Sequence, residues 1–141
     1  MQFKLTPLVR ARLESAARAA ARNAYAPYSR FRVGAAALAG SGKVFRGCNV
    51  ENAAYGMCVC AERTAILTAI AAGESKIWAL AVYTPTRTPT APCGSCRQVM
   101  NEFGPDALVI SICDTGKRFE TSLAELLPQS FGRKNLFRRR H

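Results

Sequence analysis

The fold is decided by residues 76–113, KIWALAVYTPTRTPTAPCGSCRQVMNEFGPDALVISIC, in which two apolar runs flank a helical pattern. Residues 76–83 and 107–113 have the length and the apolar composition of buried strands. Between them, residues 94–103 carry apolar side chains at helical spacing, and a Gly-Pro pair ends the helix. A strand, a helix and a strand in succession predict two parallel strands joined by a crossover, so the fold class is α/β.

The sequence on either side extends this pattern into one sheet with helices on both faces. A turn of only three residues, 114–116, follows the second buried strand, so a last strand at 117–120 must run antiparallel to it. We therefore expect a three-layer α/β/α sandwich around a mixed five-stranded sheet. The other predicted elements are a helix at 6–23 with Thr6 as its N-cap, a hairpin of strands at 31–39 and 43–48, a helix at 61–72 with Ile66, Leu67 and Ile70 on one face, and a short helix at 122–127.

The length of 141 residues and the mass of 15.3 kDa fit one compact domain. We assign this domain to residues 1–132 and expect a basic, flexible tail at 133–141. With 49% hydrophobic residues and no apolar run of about eighteen, the chain is expected to be globular and not to enter a membrane. Six cysteines are too sparse for a disulfide-stapled secreted scaffold, and no signal-peptide pattern is present, so the expected location is the cytoplasm.

The net charge of +11 is concentrated at the two ends of the chain. Residues 1–47 hold nine lysines and arginines against Glu14, and residues 133–141 hold five against none. Residues 48–132 hold six against eight acidic residues. Such ends could attract RNA or another anionic surface, but a solvated helix and tail explain the same charges.

The chemistry must come from cysteine, carboxylate or arginine, because the only histidine is the last residue, His141. Cys93 and Cys96 stand about one helical turn apart, and Cys60 immediately precedes another predicted helix. Both helix N-termini are expected at the end of the parallel strands where α/β sheets place ligand sites, and helix dipoles there favour thiolates. Three thiolates predict one Zn²⁺ ion per chain, with a fourth position left for water as in catalytic sites.

Two charged residues beside Cys60 complete the predicted chemistry. Zinc acidifies a bound water toward neutrality, and Glu62 is the carboxylate placed to move protons for the resulting hydroxide. Three thiolates and Zn²⁺ sum to a charge of −1, which weakens the metal as a Lewis acid. Arg63, in the same helix, is the nearest cation by sequence, so we expect it to offset that charge.

Two other interpretations of the cysteines stay open at this point. Cys93 and Cys96 could form a redox pair, because they make a Cys-x-x-Cys motif that follows a strand. A closed zinc site of four cysteines could include Cys58 or Cys113. Otherwise Cys48, Cys58 and Cys113 are expected to be small buried apolar residues.

The stretches Cys60-Ala61-Glu62-Arg63 and Pro92-Cys93-Gly94-Ser95-Cys96 are similar to the signature of the zinc deaminases. In particular, the chain resembles the small homotetrameric cytidine deaminases over nearly its whole length. The resemblance implies hydrolysis of cytidine and 2′-deoxycytidine to uridine and 2′-deoxyuridine with release of ammonia, a step of pyrimidine salvage. It also implies that Cys60, Cys93 and Cys96 are the zinc ligands, that Glu62 is the proton shuttle and that Arg63 compensates the thiolate charge.

The resemblance further implies which residues bind the nucleoside. Asn49 and Glu51 match residues that hydrogen-bond the ribose 3′-hydroxyl, and Phe31 matches an aromatic side chain that lines the base pocket. Phe131 matches an aromatic residue that a neighbouring subunit contributes. Without the resemblance, both phenylalanines would be assigned to core packing.

Two competing functions are a deaminase that acts on a base within RNA or DNA, and a zinc-stabilised protein that only binds nucleic acid. The resemblance implies that nucleic-acid deaminases insert a helix between the last two strands, for which the turn at 114–116 leaves no room. A free 3′-hydroxyl held by Asn49 and Glu51 would also exclude a continuing phosphate, so nucleic acid is not the expected substrate. The related blasticidin deaminases share the metal pattern but lack the Asn-x-Glu segment.

Overall fold

The computed structural model describes residues 4–137, and each element predicted from the sequence is present in this range. Within it, no helix combines the length and the apolar composition that crossing a membrane requires. The elements in chain order are α1 (Pro7–Ala21), β1 (Gly34–Ala39), β2 (Val44–Cys48), a 3₁₀ turn (Tyr55–Met57), α2 (Ala61–Ala71), β3 (Ile77–Tyr83), α3 (Gly94–Phe103), β4 (Leu108–Ile112), β5 (Arg118–Ser122), α4 (Leu123–Leu126) and α5 (Arg133–Leu136).

The five strands form one mixed sheet in the order β2-β1-β3-β4-β5. Strand β1 is antiparallel to both β2 and β3, whereas β3 and β4 are parallel, as strand-helix-strand succession predicts. Strand β5 returns antiparallel to β4 through the short turn that follows Ile112. The mixed five-stranded sheet is therefore confirmed.

Helices cover both faces of the sheet, which confirms the three-layer sandwich. On one face, Leu13 and Ala17 of α1 pack in a buried cluster with Ile110 of β4. On the other face, Ile66 of α2 and Met100 of α3 share a second buried cluster that also includes residues of β1, β3 and β4. The two apolar clusters hold the helices against the sheet, and α2 and α3 lie on the same side.

The first turn of α1 follows the prediction closely. Thr6 is the N-cap, and its Oγ1 accepts a hydrogen bond from the Val9 N–H at 3.2 Å. Pro7 occupies the first helical position, where its missing N–H costs no hydrogen bond. Local sequence signals are therefore sufficient to start this helix.

Helix α2 lies unusually close to β2 at Gly47. A Cβ at that position would lie 2.2 Å from the Ala65 backbone nitrogen, which is much closer than atoms can approach. This close approach requires small side chains on the inner face of the helix. The expectation that Leu67 lies on that face is wrong, since Leu67 is 50% exposed and alanines such as Ala65 and Ala69 are buried with Ile66.

Residues 133–137, the described part of the C-terminal segment, are mostly exposed. Helix α5 is a short turn of helix, and Arg133 Nε lies 3.9 Å from the Glu102 carboxylate. Residues 138–141, which include three arginines and His141, lie outside the described residues. A flexible tail at 133–141 therefore stays a prediction.

Candidate active site

Two helix N-termini bring the three predicted cysteines together. Cys60 is the N-cap of α2 and Cys93 is the N-cap of α3, and neither side chain caps its helix by a hydrogen bond. Cys96 lies in the first turn of α3 and is buried. The sulfurs therefore remain available to one another at the end of the sheet where ligand sites are expected.

The spacing of the sulfurs fits one tetrahedral metal ion. Cys93 Sγ lies 3.5 Å from Cys96 Sγ and 3.9 Å from Cys60 Sγ, and all three sulfurs lie within 4.8 Å of one another. Tetrahedral Zn–S bonds of about 2.3 Å place sulfurs about 3.8 Å apart. Three soft sulfur donors at this spacing suit zinc and leave the fourth tetrahedral position without a ligand from this group.

The other cysteines of the described residues do not join this group. Cys58 Sγ accepts a hydrogen bond from the Asn52 N–H at 3.3 Å. Cys113 Sγ lies 3.2 Å from Thr115 Oγ1 and is fully buried. The structure thus offers no support for a closed site of four cysteines. The expectation of buried cysteines is confirmed for Cys113, whereas Cys48 and Cys58 are only half-buried.

Contacts within the group change the pKa values of Cys60 and Cys96 in opposite directions. Hydrogen bonds from Cys96 and Arg63 lower the pKa of Cys60 to about 5, against the opposing effect of burial. The shared hydrogen bond with Cys60 and burial raise the pKa of Cys96, and the nearby Glu62 carboxylate acts in the same direction. Binding a divalent cation to all three sulfurs therefore requires the release of protons.

Glu62 lies beside the three sulfurs without being one of the group. It is the second residue of α2, is 6% exposed, and its Oε2 lies 3.7 Å from Cys96 Sγ. Burial raises the pKa of the Glu62 carboxyl above its ordinary value, and the Cys60 thiolate adds to this effect. A raised pKa makes the carboxylate a stronger base than an ordinary glutamate, which suits a group that accepts and then donates a proton.

Arg63 provides the positive charge at this end of α2. Its Nη2 lies 3.6 Å from Cys60 Sγ and donates a hydrogen bond to the Cys58 carbonyl oxygen at 3.3 Å. The contact with Cys60 raises the pKa of Arg63 above its already high value. The guanidinium is thus fixed against a sulfur, where it can offset thiolate charge.

Cys60, Cys93 and Glu62 line a cavity of about 480 Å³, and Cys96 lies behind them in contact with Cys93. Phe31, Asn49 and Glu51 line the same cavity, so the structure brings these predicted substrate residues to the predicted metal group. Phe131 does not line it and is 60% exposed. Its carbonyl oxygen accepts hydrogen bonds from Gln98 Nε2 at 2.9 Å and Asn101 Nδ2 at 3.2 Å.

Asn49 and Glu51 shape the cavity through the backbone. Asn49 Oδ1 accepts a hydrogen bond from the Val33 N–H at 2.9 Å, and its Nδ2 donates to the Phe31 carbonyl oxygen at 2.7 Å. Glu51 Oε1 accepts from the N–H groups of Tyr28 and Ser29 at 3.0 and 3.1 Å. Hydrogen bonds from Ser29 lower the pKa of Glu51, so this carboxylate is charged at neutral pH.

Sequence reasoning missed the wall formed by the segment after β3. Thr84, Thr90 and Ala91 line the cavity, and Thr84 is nearly fully buried. Thr84 Oγ1 lies 2.7 Å from Thr86 Oγ1, which ties the segment to itself. No motif marks these threonines, but their position between the carboxyl end of a parallel strand and Cys93 could have indicated them.

Three grouped thiols beside a buried carboxyl that lines a cavity are typical of a class of protein, the zinc-dependent hydrolases in which glutamate is not a metal ligand. Comparison with known proteins identifies the family within this class. Residues 9–112 match the family model described as the cytidine and deoxycytidylate deaminase zinc-binding region. The chain belongs to this family of zinc-dependent deaminases.

Individual relatives agree with the family model. A cytidine deaminase of Sporosarcina psychrophila is 46% identical over 114 residues, which cover 80% of this chain and 84% of the relative. The crystal structure of a cytidine deaminase from Burkholderia pseudomallei matches with a TM-score of 0.84 and 51% identity, over 90% of this chain and 100% of that chain. The predicted fold, family and zinc cofactor are thereby confirmed.

Proposed function

We propose that the chain hydrolyses cytidine and 2′-deoxycytidine to uridine and 2′-deoxyuridine with release of ammonia. One observation carries this proposal: the buried Glu62 carboxyl lines a cavity with Phe31, Asn49 and Glu51, and two of the three grouped cysteines, Cys60 and Cys93, line it as well. One end of the cavity thus offers proton transfer and a metal, and the remaining wall offers an aromatic ring and polar groups. A nucleoside needs the metal and the proton transfer for reaction at its base, and it needs the aromatic ring and the polar groups for binding of its base and its ribose.

Glu62 moves the protons of the reaction. When bound by Cys60, Cys93 and Cys96, zinc supplies the Lewis acidity that makes a water molecule nucleophilic near neutral pH. The Glu62 carboxylate accepts a proton from that water and delivers it to N3 of the cytosine ring. As the water oxygen bonds to C4 of the ring, Glu62 takes the second proton from that oxygen and transfers it to the exocyclic nitrogen, and the C4–N bond breaks to release ammonia. Both steps use the same carboxyl, so its burial and raised pKa suit the task.

Arg63 offsets the negative charge that three thiolates leave on the metal group. Its contact with Cys60 Sγ withdraws charge from that ligand, which leaves the cation a stronger Lewis acid. The N-termini of α2 and α3 act in the same direction through their dipoles. Arg63 is therefore a positioning and charge-compensating residue that need not contact the nucleoside.

Asn49 and Glu51 bind the ribose 3′-hydroxyl. The Asn49 amide nitrogen has two hydrogens and gives one to the Phe31 carbonyl oxygen, so one is left for a ligand. The Glu51 carboxylate has more acceptor positions than its two backbone N–H partners use. Phe31, which is held by Asn49, contributes its ring to the base pocket.

The substrate is a free nucleoside rather than a base within a nucleic acid. The antiparallel pairing of β4 with β5 leaves no helix between these strands to extend the site, which supports this choice. A test measures bound metal and ammonia release from cytidine, 2′-deoxycytidine, cytosine, adenosine and a short cytosine-containing oligonucleotide. We expect one zinc per chain and turnover of the two cytosine nucleosides. Turnover of the oligonucleotide with none of cytidine would contradict the proposal.

The active unit is a homotetramer in which Phe131 of one subunit completes a neighbour's cavity. The exposure of Phe131 outside its own cavity supports this assembly. Light scattering on the eluted protein is expected to give four times the chain mass of 15.3 kDa. Phe131→Ala is expected to raise KM for cytidine, whereas Phe137→Ala, which changes another exposed ring, serves as the control. A monomer with full activity contradicts the assembly.

The reaction takes place in the cytoplasm, where a reducing environment keeps the cysteines available to zinc. All six cysteines are free thiols in the structure, which suits such a compartment. Fractionation of expressing cells, with the protein detected by immunoblotting, is expected to recover it with cytoplasmic markers. Recovery with an exported fraction contradicts this location.

A further inference from the structure

A second cleft lies on the opposite face of the sheet, beside the C-terminal end of α1. Its volume is about 430 Å³. The residues that line it are Arg18, Ala21, Arg22, Arg32, Tyr83 and Pro85. We propose that this arginine cleft binds a phosphate group, either as inorganic phosphate or as part of a small phosphorylated ligand.

The arginine cleft keeps an excess of positive charge within the described residues, since it has three arginines and the carboxylate hydrogen-bonded to its Tyr83 hydroxyl is the single one of Asp114. Arg10 pairs with Glu120 and Arg118 pairs with Glu14, so the carboxylates of Glu14 and Glu120 already have partners outside the cleft. None of the three cleft arginines forms an ion pair within residues 4–137. A concave surface with three guanidinium groups attracts anions because the positive potentials add.

Contacts with the protein hold two of the three guanidinium groups, those of Arg32 and Arg18. Arg32 Nη1 donates a hydrogen bond to the Arg22 carbonyl oxygen at 3.1 Å. Arg18 Cζ lies 5.2 Å from the centre of the Tyr83 ring, and the Tyr83 hydroxyl donates a hydrogen bond to Asp114. These two arginine side chains therefore lose less freedom when an anion binds.

Three arginines suit a phosphate group better than a carboxylate, because the phosphate carries more negative charge. A guanidinium group offers a planar set of donors that matches two oxygens of a phosphate, and such charge-assisted hydrogen bonds are strong. The negative end of the α1 dipole accounts for cations at Arg18 and Arg22 by itself. It does not account for Arg32, which comes from a separate segment and also lines the cleft.

The arginine cleft is distinct from the active-site cavity, and two backbone segments, 31–33 and 82–85, lie between them. Val82 and Thr84 line the cavity, whereas Tyr83 and Pro85 line the cleft. The segment 31–33 alternates in the same way: Phe31 and Val33 line the cavity, and Arg32 between them lines the cleft. This alternation follows from extended backbone, in which successive side chains point to opposite faces.

The size of the cleft allows for more than a bare phosphate. Its 430 Å³ compares with 480 Å³ for the cavity that we propose to hold a nucleoside. Free phosphate and a nucleoside monophosphate share the group that the arginines recognise. The experiment therefore uses both, inorganic phosphate and uridine 5′-monophosphate.

Isothermal titration of the full chain, at physiological salt and with excess uridine to fill the active-site cavity, tests the proposal. The double substitution Arg18→Gln with Arg22→Gln keeps good helix formers and removes two cleft charges. The matched control, Arg12→Gln with Arg46→Gln, removes two charges from a separate groove beside α1. We expect the first pair to weaken phosphate binding at least tenfold and the control to change it less than twofold.

The outcomes separate the two sources of phosphate and the alternatives. Tighter binding of uridine 5′-monophosphate than of phosphate, with the same dependence on the cleft arginines, supports the proposal with a nucleotide as ligand; equal affinities support it with the phosphate group alone. Arg32→Gln, which leaves α1 unchanged, is expected to weaken binding as well and covers the case of a misfolded helix variant. No saturable binding of either probe, or equal weakening by both pairs, overturns the proposal.

Discussion

Glu62 carries two proton transfers in the proposed reaction, so its substitution tests the chemistry most directly. Glu62→Gln keeps the side-chain volume and removes the group that accepts a proton. We expect one zinc per chain as before and a loss of turnover of at least about 10²–10⁴-fold, the range that general acid–base catalysis contributes. Metal analysis and ammonia release are the measurements.

The control for this substitution is Glu102→Gln on the exposed side of α3. The Glu102 side chain is 47% exposed, and the 3.9 Å between its Oε1 and Arg133 Nε is long for an ion pair. Its substitution should therefore leave turnover unaltered. If Glu62→Gln retains the rate of the unmodified chain, Glu62 takes no part in the mechanism.

In the proposed reaction, Arg63 acts through Cys60 rather than through the substrate. Removing a hydrogen bond between charged groups costs about 1.5–3 kcal/mol, which corresponds to a factor on the order of 10–100. Arg63→Gln is therefore expected to lower kcat by such a factor while KM for cytidine changes little. Steady-state kinetics with cytidine check this split. An unchanged kcat would mean that the helix dipoles alone balance the thiolates.

At the residue scale, spacing and residue type were sufficient for the metal group but not for the rest of the cavity. Cys60, Cys93 and Cys96 could be predicted because helix N-termini and one-turn spacing are local properties. The hydrogen bonds of Asn49 to residues 31 and 33 depend on how two segments pair, which no local pattern contains. The buried hydroxyl of Thr84 depends on the path of an irregular segment.

At the scale of elements, the contact of α2 with β2 positions Cys60 and Glu62. Gly47→Ala places a methyl group where the Ala65 backbone lies, so the helix must move away from the sheet. We expect a destabilisation of about 3 kcal/mol, as for other overpacked cores, and a weaker zinc affinity. Thermal unfolding and metal titration are the measurements.

Gly116→Ala is the matched control, since a Cβ there meets nothing within 4 Å. It is expected to leave both the unfolding temperature and the zinc affinity unchanged. Should Gly47→Ala unfold at the same temperature as Gly116→Ala, the close packing of α2 on β2 would not hold in solution.

The element boundaries show where sequence patterns stop being informative. Strand β1 was expected from residue 31 and begins at Gly34. The reason is that the Asn49 side chain, not a neighbouring strand, takes the Phe31 carbonyl and the Val33 N–H. The parallel pair β3 and β4 was predictable because buried apolar runs and a helix between them permit few topologies.

For the whole molecule, the domain at 1–132 is predicted to fold without the C-terminal tail. Leu136 and Phe137 are both 68% exposed, so α5 buries little apolar surface, and the contact of Arg133 with Glu102 is a surface pair. Deleting residues 133–141 is therefore expected to shift the unfolding temperature by less than about 2 °C. Activity with cytidine should stay within a factor of two.

A longer deletion, of residues 129–141, provides the contrast. It removes the Phe131 carbonyl oxygen, which accepts hydrogen bonds from Gln98 and Asn101 of α3. We expect this deletion to lower both stability and activity. A large effect of the shorter deletion instead would place the domain boundary beyond residue 132.

Because Cys60 and Cys93 begin two different helices, a zinc ion bound to both would also link α2 to α3 and so stabilise the tertiary structure. Stripping it with a chelator leaves neighbouring sulfurs that repel once ionised, so the starts of α2 and α3 should loosen together. A ligand that binds only the native state stabilises it by RT ln(1 + c/Kd), where c is the free ligand concentration, and this stabilisation is lost when the ligand is removed. We expect chelation to lower the unfolding temperature at neutral pH and restored zinc to recover it; equal temperatures with and without metal would contradict this. The zinc ion that the reaction requires would thus also maintain the shape of the pocket in which the reaction occurs.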